Sequence, residues 1–334
     1  MSIDASAGTT PRPRRTGRRI GSPWTGVGVV VAKETADILG GARMVVIEAL
    51  MFLIALVVAW FSATAIRQTI GESPFLYLRL LTVTPESVPL SVISIIGLVT
   101  PVIAIALGFD AINGEFNQRT LSRLLAQPIY RDALLFGKFL ARLLSLAIAL
   151  VSLWLLVLGL GMLRFGLPPN LAEVVRMVGF LVATIAYGGV WLAIAVLFSV
   201  LFRAPATAAL AALGLWLLFT FFWALMVTPL LSTMIGGPEQ GLFGPNPAYL
   251  EAQQWLDRVS PATLYSETAQ ALLQPEKRFF GMVYLTQLIG ALPSPLPTAQ
   301  SFLLVWPQFT GLVAATIIIF AIAYVAFQRR EIRA

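Results

Sequence analysis

Glu115, Arg119 and Arg123 stand four residues apart in a polar and basic island, residues 110–138, set between two long apolar runs. On a helix this spacing puts all three along one edge with the acid N-terminal to the bases, the order that favours i,i+4 pairing. Leu121, Leu124 and Leu125 fall at i, i+3 and i+4 on another face, Pro128 forbids continuation, and Asp132 is placed to cap the helix that follows. The chemistry such a segment offers is recognition, with charged contacts along one edge and an apolar stripe to fill a groove. A solvated loop with interfacial leucines has the same pattern, so spacing alone does not choose between loop and docking surface.

Other chemistry is excluded by absence. The 334 residues contain no cysteine and no histidine, which removes thiol nucleophiles, the usual zinc and haem ligands, and histidine acid–base catalysis. No GxxxxGK[ST] phosphate loop occurs, so the chain does not bind and hydrolyse ATP in the P-loop manner. Catalytic, cofactor-binding and metal-binding residues are therefore expected to be none. Charge inside the apolar runs is scarce, with Glu48 and Arg142 near their inner ends. Ion-coupled carriers and intramembrane aspartyl proteases need buried charge, because a charge is retained in a membrane only for function.

The elements that must position the island are membrane spans. The sequence is 58% hydrophobic and 12% charged, with a mean hydropathy of +0.84, values that belong to an all-α polytopic membrane protein. Apolar runs long enough to cross lie at about 44–66, 89–109, 133–163, 171–201, 206–231 and 303–327. Residues 1–23 read as a disordered basic tail, and 24–43 mix apolar with charged residues as an interfacial helix does. Residues 67–88 read as a polar loop, and Pro101 is expected to bend the second span unless neighbours compensate. Asn170 with Glu173 reads as a capping box opening the fourth span. The fifth carries an aromatic stripe, Trp216, Phe219, Phe222 and Trp223, suited to lining a path or to bundle packing. Residues 232–301 form a large outer loop with helices expected at 247–259 and 261–273, the second capped by Ser260, and an interfacial stretch at 279–292. With both termini inside, 16 of the 23 lysines and arginines fall on the inner side and 7 outside, the bias that sets orientation.

The island is also the point of a family resemblance. FDAINGEFNQRTLSRLLAQPIYRDALLFGKFLARL resembles the first cytoplasmic loop of bacterial ABC transporter permeases of the ABC-2 type, with Gly114, Glu115, Thr120, Leu124, Leu125, Pro128, Arg131, Gly137 and Lys138 matching the family pattern. Arg119 stands where that pattern has its second glycine. SPATLYSETAQALLQP at 260–275 is similar to the outer-loop motif of the same permeases and FQRREIRA at 327–334 to their C-terminal signature. The resemblance covers nearly the whole chain from Val30 onward.

It implies an elbow helix over 24–43, a cytoplasmic coupling helix over 114–127, and a homodimer or pair of related permeases in a bacterial or archaeal cell membrane. Two separately encoded ATPase subunits would carry ATP and magnesium. Glu115 and Arg119 are then expected to make polar contacts with the ATPase, Phe116 and Leu121 to fill its groove, and Thr120 and Leu124 to lie on the same helix. Pro101, Trp216, Phe219 and Trp223 would border the translocation path. The function so implied is ATP-driven transport of an unidentified substrate, with net export the family expectation. Two alternatives remain: a mechanotransmitter gripping an extracytoplasmic protein at 232–301 without small-molecule flux, and a membrane scaffold without an ATPase.

Overall fold

The structure, a computed structural model, describes residues 26–68, 75–117, 131–236, 246–276 and 295–329. The basic tail at 1–23, most of the expected coupling helix (118–127), the stretch at 279–292 and the last five residues lie outside these. Among the described residues every regular element is helical, and six helices are long and apolar enough to cross a membrane.

Helix α1 (Val27–Leu39) is followed by Gly40 and Gly41, which break it from α2 (Ala42–Gln68), the first span. The expected interfacial helix is therefore shorter than its charge pattern suggested, and Arg43 belongs to the span. A short helix, α3 (Leu76–Thr82), occupies the stretch expected to be a polar loop, and buries Tyr77, Leu78, Leu80 and Leu81. The second span is α4 (Val92–Gly108), continuous through a buried Pro101 and capped by Ser91, and α5 (Asn113–Asn117) extends from its end. Spans three and four are α6 (Arg131–Phe165) and α7 (Leu171–Leu201).

The fifth span comprises α8 (Pro205–Leu217), a π turn (Leu218–Phe222) and α9 (Trp223–Ile235). Two further helices, α10 (Pro247–Asp257) and α11 (Pro261–Leu273), precede the sixth span, α12 (Thr298–Arg329).

The fourth span is the hub. Of its apolar stretch 72% is buried, against 17% for the fifth and sixth, and it packs against α4, α6, α8, α11 and α12. Small residues make this possible: a Cβ on Gly188 would stand 2.5 Å from Leu146 Cδ2 and 3.0 Å from Thr100 Cγ2, so only glycine lets the second and third spans approach here unmoved. The capping box forms as the sequence predicts, with Asn170 Oδ1 accepting from Glu173 N (2.8 Å) and Glu173 Oε2 from Asn170 N (2.9 Å). Glu173 Oε1 also accepts from Tyr77 N at 2.9 Å, satisfying a free donor at the start of α3.

The segment between the fifth and sixth spans is not simply draped over the bundle. Tyr265 on α11 stacks against Tyr187, their rings 4.5 Å apart and 12° from parallel. Tyr187 lies sixteen residues into α7, about 24 Å along it, so α11 descends among the spans. Arg176, 1% exposed, fastens this arrangement: its guanidinium donates to Leu272 O (3.2 Å), Ser301 Oγ (2.8 Å) and Leu296 O. Ser260 precedes α11 but makes no side-chain cap. Its hydroxyl instead donates at 3.0 Å to the carbonyl of Phe219, in the π turn, where widening of the helix alters the regular backbone ladder.

Candidate functional site

At the face from which residues 118–130 depart, charged side chains from four helices meet. Helix α1 lies so close on α6 that a Cβ on Gly137 would stand 2.6 Å from Val30 Cγ1. The next residue, Lys138, is 3% exposed at its side chain, and its Nζ donates to Glu34 Oε1 (2.9 Å) and Glu115 Oε1 (3.0 Å). One turn further, Arg142 donates from Nη1 to Glu34 Oε2 (3.3 Å) and Lys138 O (3.1 Å), and from Nε to Leu107 O (2.8 Å). Beside this cluster Arg43 pairs with Asp110 at 2.8 Å and lies over the Phe109 ring. The turn between α4 and α5 is held from the other side, where Ser199 Oγ accepts from Ile112 N and Asn113 N at 2.9 and 3.2 Å.

Among the described residues two carboxylates and two cations meet in this cluster, which makes their burial tolerable. Glu34 belongs to α1, Glu115 to α5, and Lys138 and Arg142 to α6. Residues 118–130 join α5 to α6 in the chain, and Lys138 ties these two helices to each other and to α1.

Of the residues singled out from sequence, Glu115 sits in this cluster with its side chain 21% exposed, and Phe116 lies on α5. Arg119, Thr120, Leu121 and Leu124 lie outside the described residues. Pro101 is buried. Trp216 is also buried, edge-on to Phe221. Phe219 packs against Trp223 with ring centroids 5.0 Å apart, and Trp223 Nε1 donates to Leu256 O at 2.9 Å, holding the outer segment. The exposed rings of the fifth span are instead Phe221 and Phe222. Asp132, expected as a cap, lies in the first turn of α6 and accepts from Tyr324 Oη (3.1 Å) and from Gln328 Nε2.

Glu34, Lys138 and Arg176 were not among the residues singled out as functional. Their signal was present, since a charge beside or within an apolar run needs a partner, but the partners are 96 to 125 residues away in three of the bonds concerned.

Comparison with known proteins places this geometry. A family model described as ABC-2 family transporter protein matches residues 29–332. The probable ABC transporter permease protein NosY of Stutzerimonas stutzeri is 29% identical over 307 residues, covering 90% of this chain and 97% of that protein. The protein of the same name from Pseudomonas aeruginosa is 31% identical over 251 residues, 72% of this chain and 79% of its own length. A match that runs from the first described helix to beyond the last, over six spans and the island itself, means that this chain belongs to the ABC-2 family of transporter proteins, as a multi-pass permease-type subunit.

Proposed function

We propose that the chain is the membrane-spanning part of an exporter in a bacterial or archaeal cell membrane, powered by ATP and magnesium bound on a separate nucleotide-binding subunit. Both termini lie on the ATPase side, and a second copy or a related chain completes the transporter. The observation that carries this reading is the tie from Glu34 through Lys138 to Glu115. It makes α1, the second span and the third respond as one body to whatever engages residues 118–130. The test is reconstitution with the partner ATPase. Glu115→Arg should leave ATP hydrolysis running and the permease in the membrane while transport is lost; transport at the normal rate would refute the coupling role.

A second reading is favoured by a separate observation. Tyr265 and Arg176 bind the outer helices to the middle and outer end of the fourth span, so movement of the bundle would also move α10 and α11. An extracytoplasmic protein gripped there would feel each ATPase cycle. Deleting α11 would remove part of the core, so the separating variant belongs on α10, where Trp255 is 72% exposed. Loss of partner binding in Trp255→Glu, with flux unchanged, would establish mechanotransmission; loss of neither would remove it.

A further inference from the structure

We infer that the permease carries a binding site for a neutral, hydroxyl-rich group, in a cavity of about 410 Å³ between α4, the π turn of the fifth span and α11. This rests on the transport reading above and names the class of cargo that reading would move. The volume lies within the range of small-ligand sites.

The lining decides the chemistry. Ser94, Thr220, Gln270 and Gln274 present hydroxyl and amide groups, and the stacked Tyr187–Tyr265 pair forms part of the wall. No acidic or basic side chain lines the cavity among the described residues. A charged ligand would lose its hydration here and meet no counter-charge. A purely apolar ligand fails for the opposite reason. Ser94 and Gln270, exposed in the lining, would lose water to an alkyl group without a bond in return, and Thr220 Oγ1 and Gln274 Oε1, buried without a hydrogen-bond partner just behind it, are open only to a group able to donate. A neutral polyol or sugar-like group offers such donors once these side chains turn toward it, and an apolar C–H face to the aromatic wall.

Thr220 also lies within the π turn, and Ser260, at the start of α11, holds that turn through Phe219 O. Irregular backbone beside a polar cavity is the circumstance in which a membrane protein tolerates it. Residues from α4, the fifth span and α11 converge here, so relative motion of these elements would change the shape of the cavity.

The test uses the full-length permease in lipid nanodiscs without its ATPase, so that its outcome is independent of coupling. Binding of hexyl β-glucoside, hexyl phosphate, hexyltrimethylammonium and free glucose is measured by saturation-transfer NMR. The glucoside should bind, with the two charged probes at least about tenfold weaker. Thr220→Val, which keeps the shape and removes the hydroxyl, and Gln274→Leu should each weaken the glucoside about tenfold without lowering the unfolding temperature. Ser94→Ala, at an exposed position of the lining, is the third variant should either buried change fail to fold. Comparable binding of free glucose would assign the group to a water-soluble cargo, and dependence on the alkyl chain to a membrane-derived one; both support the site. Equal binding of the charged probes, or glucoside binding indifferent to all three variants, would overturn it. Failure of glucoside to stimulate the reconstituted ATPase, with nanodisc binding intact, would count against the transport reading and leave the site standing.

Discussion

Lys138 answers two carboxylates at once, and it does so while almost wholly buried, with Glu34 and Glu115 at 2.9 and 3.0 Å. Lys138→Met would remove the cation that both acids share. Removing one partner of a buried ion pair costs roughly 3 kcal/mol, and partial exposure of the acids places this case toward the lower end. The unfolding temperature of the purified permease should fall, and adding Glu115→Gln should restore part of the loss; purely additive effects would mean that no coupling exists. Gly137 makes a companion prediction. Gly137→Ala brings a methyl to 2.6 Å from Val30 Cγ1, and overpacking of this kind costs about 1–3 kcal/mol. Val30→Ala in the same chain should relieve it. The sequence motif contains both Gly137 and Lys138 but not their reasons, which lie on α1: Val30 for Gly137 and, 104 residues upstream of Lys138, Glu34. Helical spacing offered Arg119 as the neighbour of Glu115, whereas Lys138 is a partner that only the fold brings near. Periodicity sees the local face and misses the distant one.

At the scale of elements, the parts legible in sequence were those written in local chemistry. Six apolar runs became six spans because length against the bilayer decides them, and Asn170 with Glu173 capped as its spacing required. Helix α3 was not legible, since LYLRLLT is too short and too uniformly apolar to display a period; burial against the spans and Glu173 at its N-terminus make it a helix. Nor was the descent of α11, which the sequence places only as a helix within a large loop. The outer pair of helices carries a pH signature. Burial first, and the charge of Glu267 second, hold the Asp257 carboxyl above the usual carboxylate range. The folded chain therefore favours the protonated form, and stability present below the ordinary carboxylate value is lost as pH rises through the folded one. Asp257→Asn should raise the unfolding temperature at neutral pH, with the gain shrinking to nothing below about pH 4. A gain of the same size at both pH values would mean that ionisation of Asp257 is not its source.

For the whole molecule, two polar fastenings stand at opposite ends of one apolar bundle. At one end Lys138 binds α1, α5 and α6; at the other Arg176 binds α7 to Leu272 of α11, to Leu296 and to Ser301 of α12. The apolar packing between them has no direction of its own, whereas hydrogen-bonded charges fix which helices move together. Charge at both ends and little between was legible in the sequence, though not which helices it joined. If the bundle transmits force, the two ends should fail differently. Under the proposed function Glu115→Arg breaks the end where the motor would engage, so the ATPase should turn over without its stimulation by cargo. Arg176→Met keeps most of the buried volume and removes three hydrogen bonds, so the ATPase should still engage and respond at the inner end while movement fails to reach α11. In the reconstituted complex, hydrolysis should then be near normal and transport, or the response of an extracytoplasmic partner, should fall by about tenfold or more. Hydrogen exchange supplies the structural check: amides of α11 and the start of α12 should lose protection in Arg176→Met, with those of α1 and α6 unchanged. Equal loss of protection at both ends would mean that Arg176 stabilises the bundle as a whole, and the picture of two separable fastenings would have to be given up.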